Sequence, residues 1–195
     1  GSQSRRTKPP RGDMPTLSAS NPSSTPPPRR PPRPGVGFLL LHPAHFLALG
    51  AGAGLSRVAP GTVGTFWAWL SYLVLQQWLG TMQIGLLIAA SAVLGWWACT
   101  LTARHLNIAD PPAVVWDEIV AFWLVLWLAS PMGGWGQFWA FVLFRFFDAA
   151  KPGPVGWADR VCKGLGWRGG FGILWDDFVA AFCTLFVIAL WRFFA

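Results

Sequence analysis

The sequence predicts an all-α fold, a polytopic membrane helical bundle of about five apolar helices with a short interfacial or re-entrant N-terminal helix ahead of them. Three observations predict it. The 195 residues are 53% apolar, with 14 Trp and 15 Phe, yet only 12% charged, where a soluble domain carries roughly 25%. The apolar residues fall in long runs, without strand alternation or a long-period repeat. The acids outside the first 37 residues gather at the ends of those runs or in the loops between them.

The formal charge of +7 is uneven. Residues 1–37 hold seven basic side chains against Asp13, and the rest is nearly balanced. The high pI therefore belongs to a tail, and nucleic-acid binding is a poor reading of it. That segment is rich in Pro, Ser and Arg, cannot bury apolar surface and is expected to be disordered. Its opening Gly1-Ser2 reads as a tag-cleavage scar. Two units follow, a basic Pro-rich tail over 1–37 and a membrane domain over 38–195. Basic segments stay on the cytoplasmic side.

Phe38–Leu49 is too short to span a core of about 30 Å, hence the interfacial assignment. Gly50-Ala51-Gly52-Ala53-Gly54 lacks a βαβ context and reads as a turn or a close helix contact. Ser56 to Thr65 reads as a loop leading into a helix, where Pro60-Gly61 turns the chain and free amides beside Arg57 could hold an anion. Spans are expected at Val63–Leu79, Met82–Thr102, Ala113–Ala129, Trp135–Phe147 and Phe171–Phe194. The regions Arg104–Pro112 and Asp148–Gly170 read as polar loops. Trp67, Trp69, Trp78, Trp96, Trp97, Trp135 and Trp191 lie near run ends, as an aromatic belt would have them.

Alternating the spans from a cytoplasmic tail brings Asp110, Asp117, Glu118, Asp148, Asp159, Asp176 and Asp177 to one face. Arg57, Arg104, Arg145, Lys151, Arg160, Lys163 and Arg168 join them there. The turns on the other side, Gly80-Thr81 and Ser130–Gly134, carry no charge. The expected site is cytoplasmic.

Charge at a bilayer boundary is costly and marks function. Asp117-Glu118 opens one apolar run and Asp176-Asp177 another, with Asp148 closing a third. A hard cation such as Mg²⁺ takes several oxygen ligands, commonly one or two carboxylates plus substrate phosphate. Asp117, Glu118, Asp148, Asp176 and Asp177 are accordingly the expected catalytic residues, with Asp117, Glu118, Asp148 and Asp177 as the metal ligands. Arg57, Thr62, Arg145 and Lys151 are the expected substrate-binding residues. Arg145 and Asp148, three apart, can also pair on one helix face.

Cys99, Cys162 and Cys183 have no paired spacing and read as small buried hydrophobes. Cys162 to Arg168 has the Cys-x5-Arg spacing of thiol phosphatases, but lacks their strand-loop-helix context. His42, His45 and His105 lack ligand spacing and read as loop or interface histidines.

Four motifs in order carry a resemblance. They are Ala59-Pro60-Gly61-Thr62, then Val115-Trp116-Asp117-Glu118, then Phe144-Arg145-Phe146-Phe147-Asp148 with Lys151-Pro152. Gly169-Gly170-Phe171-Gly172-Ile173 with Asp176-Asp177 is the last. The chain from about 42 to 194 resembles the phosphatidylglycerophosphatase A family. The resemblance implies a Mg²⁺-dependent bacterial inner-membrane enzyme that hydrolyses phosphatidylglycerophosphate to phosphatidylglycerol and phosphate. The stretch from Asp159-Arg160 to Gly169-Gly170 is longer than the family's usual link, and the Pro-Arg tail lies outside its pattern. The expected reaction is metal-assisted phosphomonoester hydrolysis, with a free carboxylate such as Asp176 as general base. An aspartyl-phosphate intermediate stays open. Two alternatives stay open as well: another lipid-phosphate phosphatase, and a small cation transporter or channel.

Overall fold

The computed structural model describes residues 33–161, 164 and 166–194, all within one unit, Arg33–Ala195. The expectations for residues 1–32, the Gly1-Ser2 start included, lie outside the described residues, as do Cys162, Lys163 and Leu165 of the Cys-x5-Arg run.

All regular structure among the described residues is helical. Two short helices, α1 (Val36–Leu41) and α2 (Pro43–Ala48), are followed by a 3-10 segment over Gly50–Leu55. Then come α3 (Pro60–Trp78), α4 (Thr81–Leu106), α5 (Trp116–Ala129), α6 (Gly134–Ala150), α7 (Pro154–Val161) and α8 (Trp167–Phe194). The first helix starts at Val36, inside the segment expected to be tail.

Helices α4 and α8, of 26 and 28 residues, are long and apolar enough to cross a membrane. At 1.5 Å per residue they reach about 39 and 42 Å, against a hydrocarbon core of about 30 Å. Helix α5, at 14 residues, reaches only about 21 Å.

Helix α5 is the centre of the bundle. It is apolar almost all round, which suits a helix enclosed by others. Ile119, Val120, Phe122, Val125 and Leu126 are all fully buried on it or nearly so, and it touches α3, α4, α6 and α8. Phe122 packs against Phe141 and Phe144 of α6, and Trp123 donates to the Ala68 carbonyl of α3 at 3.0 Å. The outer helices turn Leu70, Val74, Leu86, Val93, Phe182 and Phe186 outward, an apolar surface far larger than a water-facing domain tolerates.

The last helix departs from expectation. The glycines before Phe171 were expected to end a polar loop, yet they form the first turns of α8. The reason is packing: a Cβ on Gly170 would stand 1.8 Å from Thr100 Oγ1, so glycine lets α8 press against α4. Asp176-Asp177 consequently lies nine to ten residues into α8, about 14 Å from its start, and not at a helix mouth. The expected loop over 148–170 also contains α7.

Two further placements differ from the sequence reading. The three histidines converge: His45 Nδ1 lies 2.9 Å from Thr102 Oγ1, and His105 Nδ1 lies 3.0 Å from His45 Nε2. At the other end of the bundle Arg192 donates to the carbonyls of Ala129 at 2.5 Å and Pro131 at 3.0 Å. That end, whose turns are uncharged, therefore does carry a cation, one that caps the last carbonyls of α5.

Candidate active site

Three helices bring the acids together. The first turn of α5 supplies Asp117 and Glu118, the last turns of α6 supply Asp148, and α8 supplies Asp176 and Asp177. Asp117, Asp148, Asp176 and Asp177 are each more than nine-tenths buried. Asp177 lies close enough to Asp148, Asp117, Asp176 and Glu118 to feel the repulsion of all four.

Two cations divide part of this charge. Arg145 Nη1 donates to Glu118 Oε1 at 3.1 Å and also pairs with Asp148. The i,i+3 pair that the spacing allowed is thus formed, and it is extended across to α5. Lys151 Nζ lies 2.5 Å from both Asp159 Oδ1 and Asp176 Oδ2. Burial opposes the charge on Lys151, but its hydrogen bonds to Asp159 and Asp176 prevail and hold its pKa above the ordinary lysine value.

Asp117 and Asp177 take part in no ion pair among the described residues. Four buried carboxylate oxygens have no hydrogen-bond partner among the described residues: Asp117 Oδ1, Glu118 Oε2, Asp176 Oδ1 and Asp177 Oδ2. Buried polar atoms are almost always satisfied, so four orphans in one region call for a ligand. Clustered carboxylate oxygens have the chemistry a hard divalent cation selects. Among the described residues no group of three or more His, Cys, Asp or Glu side chains stands where it could hold a metal ion. The donor chemistry fits Mg²⁺, and substrate or water oxygens would have to complete a coordination shell.

Ala59-Pro60-Gly61-Thr62 starts α3, with Ala59 in the left-handed region and Pro60 at the first helical position. Gly61 lies against the Glu118 carboxylate, so the expected anion position at this helix start faces a carboxylate belonging to the chain itself. Thr62 is half-buried beside it. Arg57 is exposed and takes part in none of the ion pairs among the described residues. The structure therefore joins Arg145 and Lys151 to the acids and does not pair Arg57 with them.

Asp159 was not among the expected site residues, because it borders no apolar run. Its one local signal is Pro154 opening Val155–Val161, the pattern of a helix start. A narrow cleft of about 10 Å³, lined by Asp110, Asp159, Gly169, Gly172 and Asp176 among others, adjoins it. That space admits a water and no head group.

Two helices long and apolar enough to cross a membrane, with buried, partly unpaired carboxylates between the helices, define the class as an all-helical protein with a candidate enzyme site. A sequence profile of the phosphatidylglycerophosphatase A family matches residues 46–192. The chain is 37% identical to phosphatidylglycerophosphatase A of Escherichia coli (strain K12) over 145 residues, 71% of this chain and 77% of that protein. It is 37% identical to the Haemophilus influenzae phosphatidylglycerophosphatase A over 150 residues, 76% of this chain and 88% of that one. A provisionally named phosphatidylinositol-3-phosphatase of Bacteroides thetaiotaomicron is 35% identical over 152 residues, 75% of this chain and 91% of that protein. No solved structure matches. The chain belongs to the phosphatidylglycerophosphatase A family.

Proposed function

We propose that this chain hydrolyses phosphatidylglycerophosphate to phosphatidylglycerol and inorganic phosphate, in a Mg²⁺-dependent reaction at the cytoplasmic face of a bacterial inner membrane. The observation that carries the reading is the set of four orphaned, buried carboxylate oxygens beside Arg145 and Lys151, in a chain of this family. In the multi-pass arrangement α3, α4, α5, α6 and α8 cross the bilayer, with the shorter α5 and α6 enclosed or tilted among the others.

Asp117 and Asp177, free of ion pairs, would hold the metal, with Glu118 and Asp148 as the neighbouring donors. Mg²⁺ bound there would neutralise phosphate charge and acidify a coordinated water. Arg145, whose Nε is buried without a partner, has a donor to offer a non-bridging phosphate oxygen. Asp176 has Oδ2 held by Lys151 and Oδ1 free, which suits it to take a proton from the attacking water. Thr62 and Arg57 would meet the glycerophosphate head group while the acyl chains stay in lipid.

The decisive measurement is phosphate release by purified protein from phosphatidylglycerophosphate, phosphatidic acid and phosphatidylinositol 3-phosphate, with and without Mg²⁺. Release from phosphatidylglycerophosphate alone, abolished by chelation, is expected. Preference for the inositol lipid would move the substrate toward the one named for the Bacteroides relative. Mg²⁺ flux into proteoliposomes without phosphate release would instead support a transporter.

A further inference from the structure

We infer that Asp159 is a positioning residue of this site: from α7 it holds Lys151, and through Lys151 it fixes one oxygen of Asp176 while leaving the other free. Three observations converge on this. The lysine ammonium sits between the two carboxylates at 2.5 Å from each. The Lys151 backbone lies in the left-handed region, at φ 45° and ψ 50°, where an L side chain is strained and glycine is easier. The first turn of helix α7 also lies close against that backbone, since a Cβ on Gly156 would stand 2.6 Å from the Lys151 carbonyl oxygen.

The strain identifies the side chain as the part that matters. A glycine at the C-cap would satisfy the end of α6 at lower cost, but it would supply no ammonium. Buried Val155 and Ala158 attach α7 to the bundle, and Asp159 follows directly on the attached face. Lysine has a flexible four-carbon stem, so with Asp176 as its sole partner it could swing away. Asp159 removes that freedom, and Asp176 keeps Oδ1 buried and unpartnered. Asp159 itself need not touch substrate.

The activity arm of the test rests on the reaction proposed above, and a second arm does not. The purified chain is compared with Asp159→Asn, Asp159→Glu, Lys151→Met and the Asn/Met double variant on phosphatidylglycerophosphate. Asp159→Asn should lower kcat about tenfold, the scale of one charge-assisted hydrogen bond, with KM little changed and Asp159→Glu restoring most of the rate. In the Lys151→Met background the same Asp159→Asn change should cost less than about twofold, because it acts through the absent lysine. In the second arm Lys151 is acylated with an amine-reactive ester and quantified by peptide mass spectrometry. Labelling should be several-fold faster in Asp159→Asn and slow again in Asp159→Glu. Equal costs in both backgrounds, or unchanged labelling, would overturn the inference. Absence of phosphate release from wild-type protein would count against the proposed reaction alone, with the labelling arm still deciding the role of Asp159.

Discussion

Gly61 at the start of α3 lies directly against Glu118 on α5: a Cβ placed on Gly61 would stand 1.9 Å from Glu118 Oε1. The first and second sequence motifs, 57 residues apart, are thus one contact. Glycine serves here by its lack of a side chain, because the carboxylate fills the space one would occupy. Replacing it by Ala forces Glu118 away from Arg145 or drives α3 outward. Gly61→Ala should cost about 1–3 kcal/mol of stability, as overpacking does, and at least tenfold in rate if Glu118 takes part in catalysis. Thermal melts and phosphate release measured side by side check both.

Arg145 is the cation shared by Glu118 and Asp148, with only 18% of its side chain exposed. Removing it leaves two acids facing each other in a nearly dry region. Arg145→Met should destabilise the protein by about 3 kcal/mol, the usual result of deleting one partner of a buried pair. Adding Glu118→Gln should return part of that loss, since it removes one of the stranded charges. Chemical denaturation of the single and double variants reads this directly, and equal stabilities would refute it.

Asp177 offers the opposite sign. It has no cationic partner among the described residues and is repelled by four other acids. Asp177→Asn should abolish Mg²⁺-dependent phosphate release, yet raise the melting temperature in chelator-containing buffer. Activity sites commonly carry such a conflict between function and stability. A variant that kept full activity would remove Asp177 from the site.

His45 supplies a pH dependence remote from the carboxylates. Burial lowers its pKa, and His105 and His42 add to the effect by repelling a charged ring. A histidine lowered in the fold binds its proton more readily when unfolded. Its contribution is therefore full above the ordinary value near 6.5, and is lost as pH falls through the lower folded value. Melting temperature should drop from pH about 7 to about 5, and the drop should shrink in His45→Gln. The consequence reaches the site, because the Ala48 carbonyl of α2 accepts from the amide of Val115, two residues before Asp117, at 2.9 Å.

The helices were legible because their cause is local. Apolar runs and their interruptions are written along the chain, and the cost of charge at a bilayer boundary singles out Asp117, Glu118, Asp148, Asp176 and Asp177 without any structure. The glycines at 169 and 170 misled for an equally physical reason. Locally a glycine pair favours a loop, but the contact of Gly170 with Thr100 exists only after α8 has docked on α4. Asp159 was placed at the same face but not in the site, because it borders no apolar run and its partner Lys151 lies eight residues away around a turn.

By itself, then, the sequence determined the helical class, the order of the motifs and the set of acids that converge. Tertiary structure decided how those acids are divided: Glu118 and Asp148 to Arg145, Asp176 and Asp159 to Lys151, Asp117 and Asp177 to no cation among the described residues. Composition fixes how many charges there are, whereas the pairing of each depends on distances of a few ångströms between helices. Coulomb energy and desolvation both change steeply over that range, and only the packed bundle sets it.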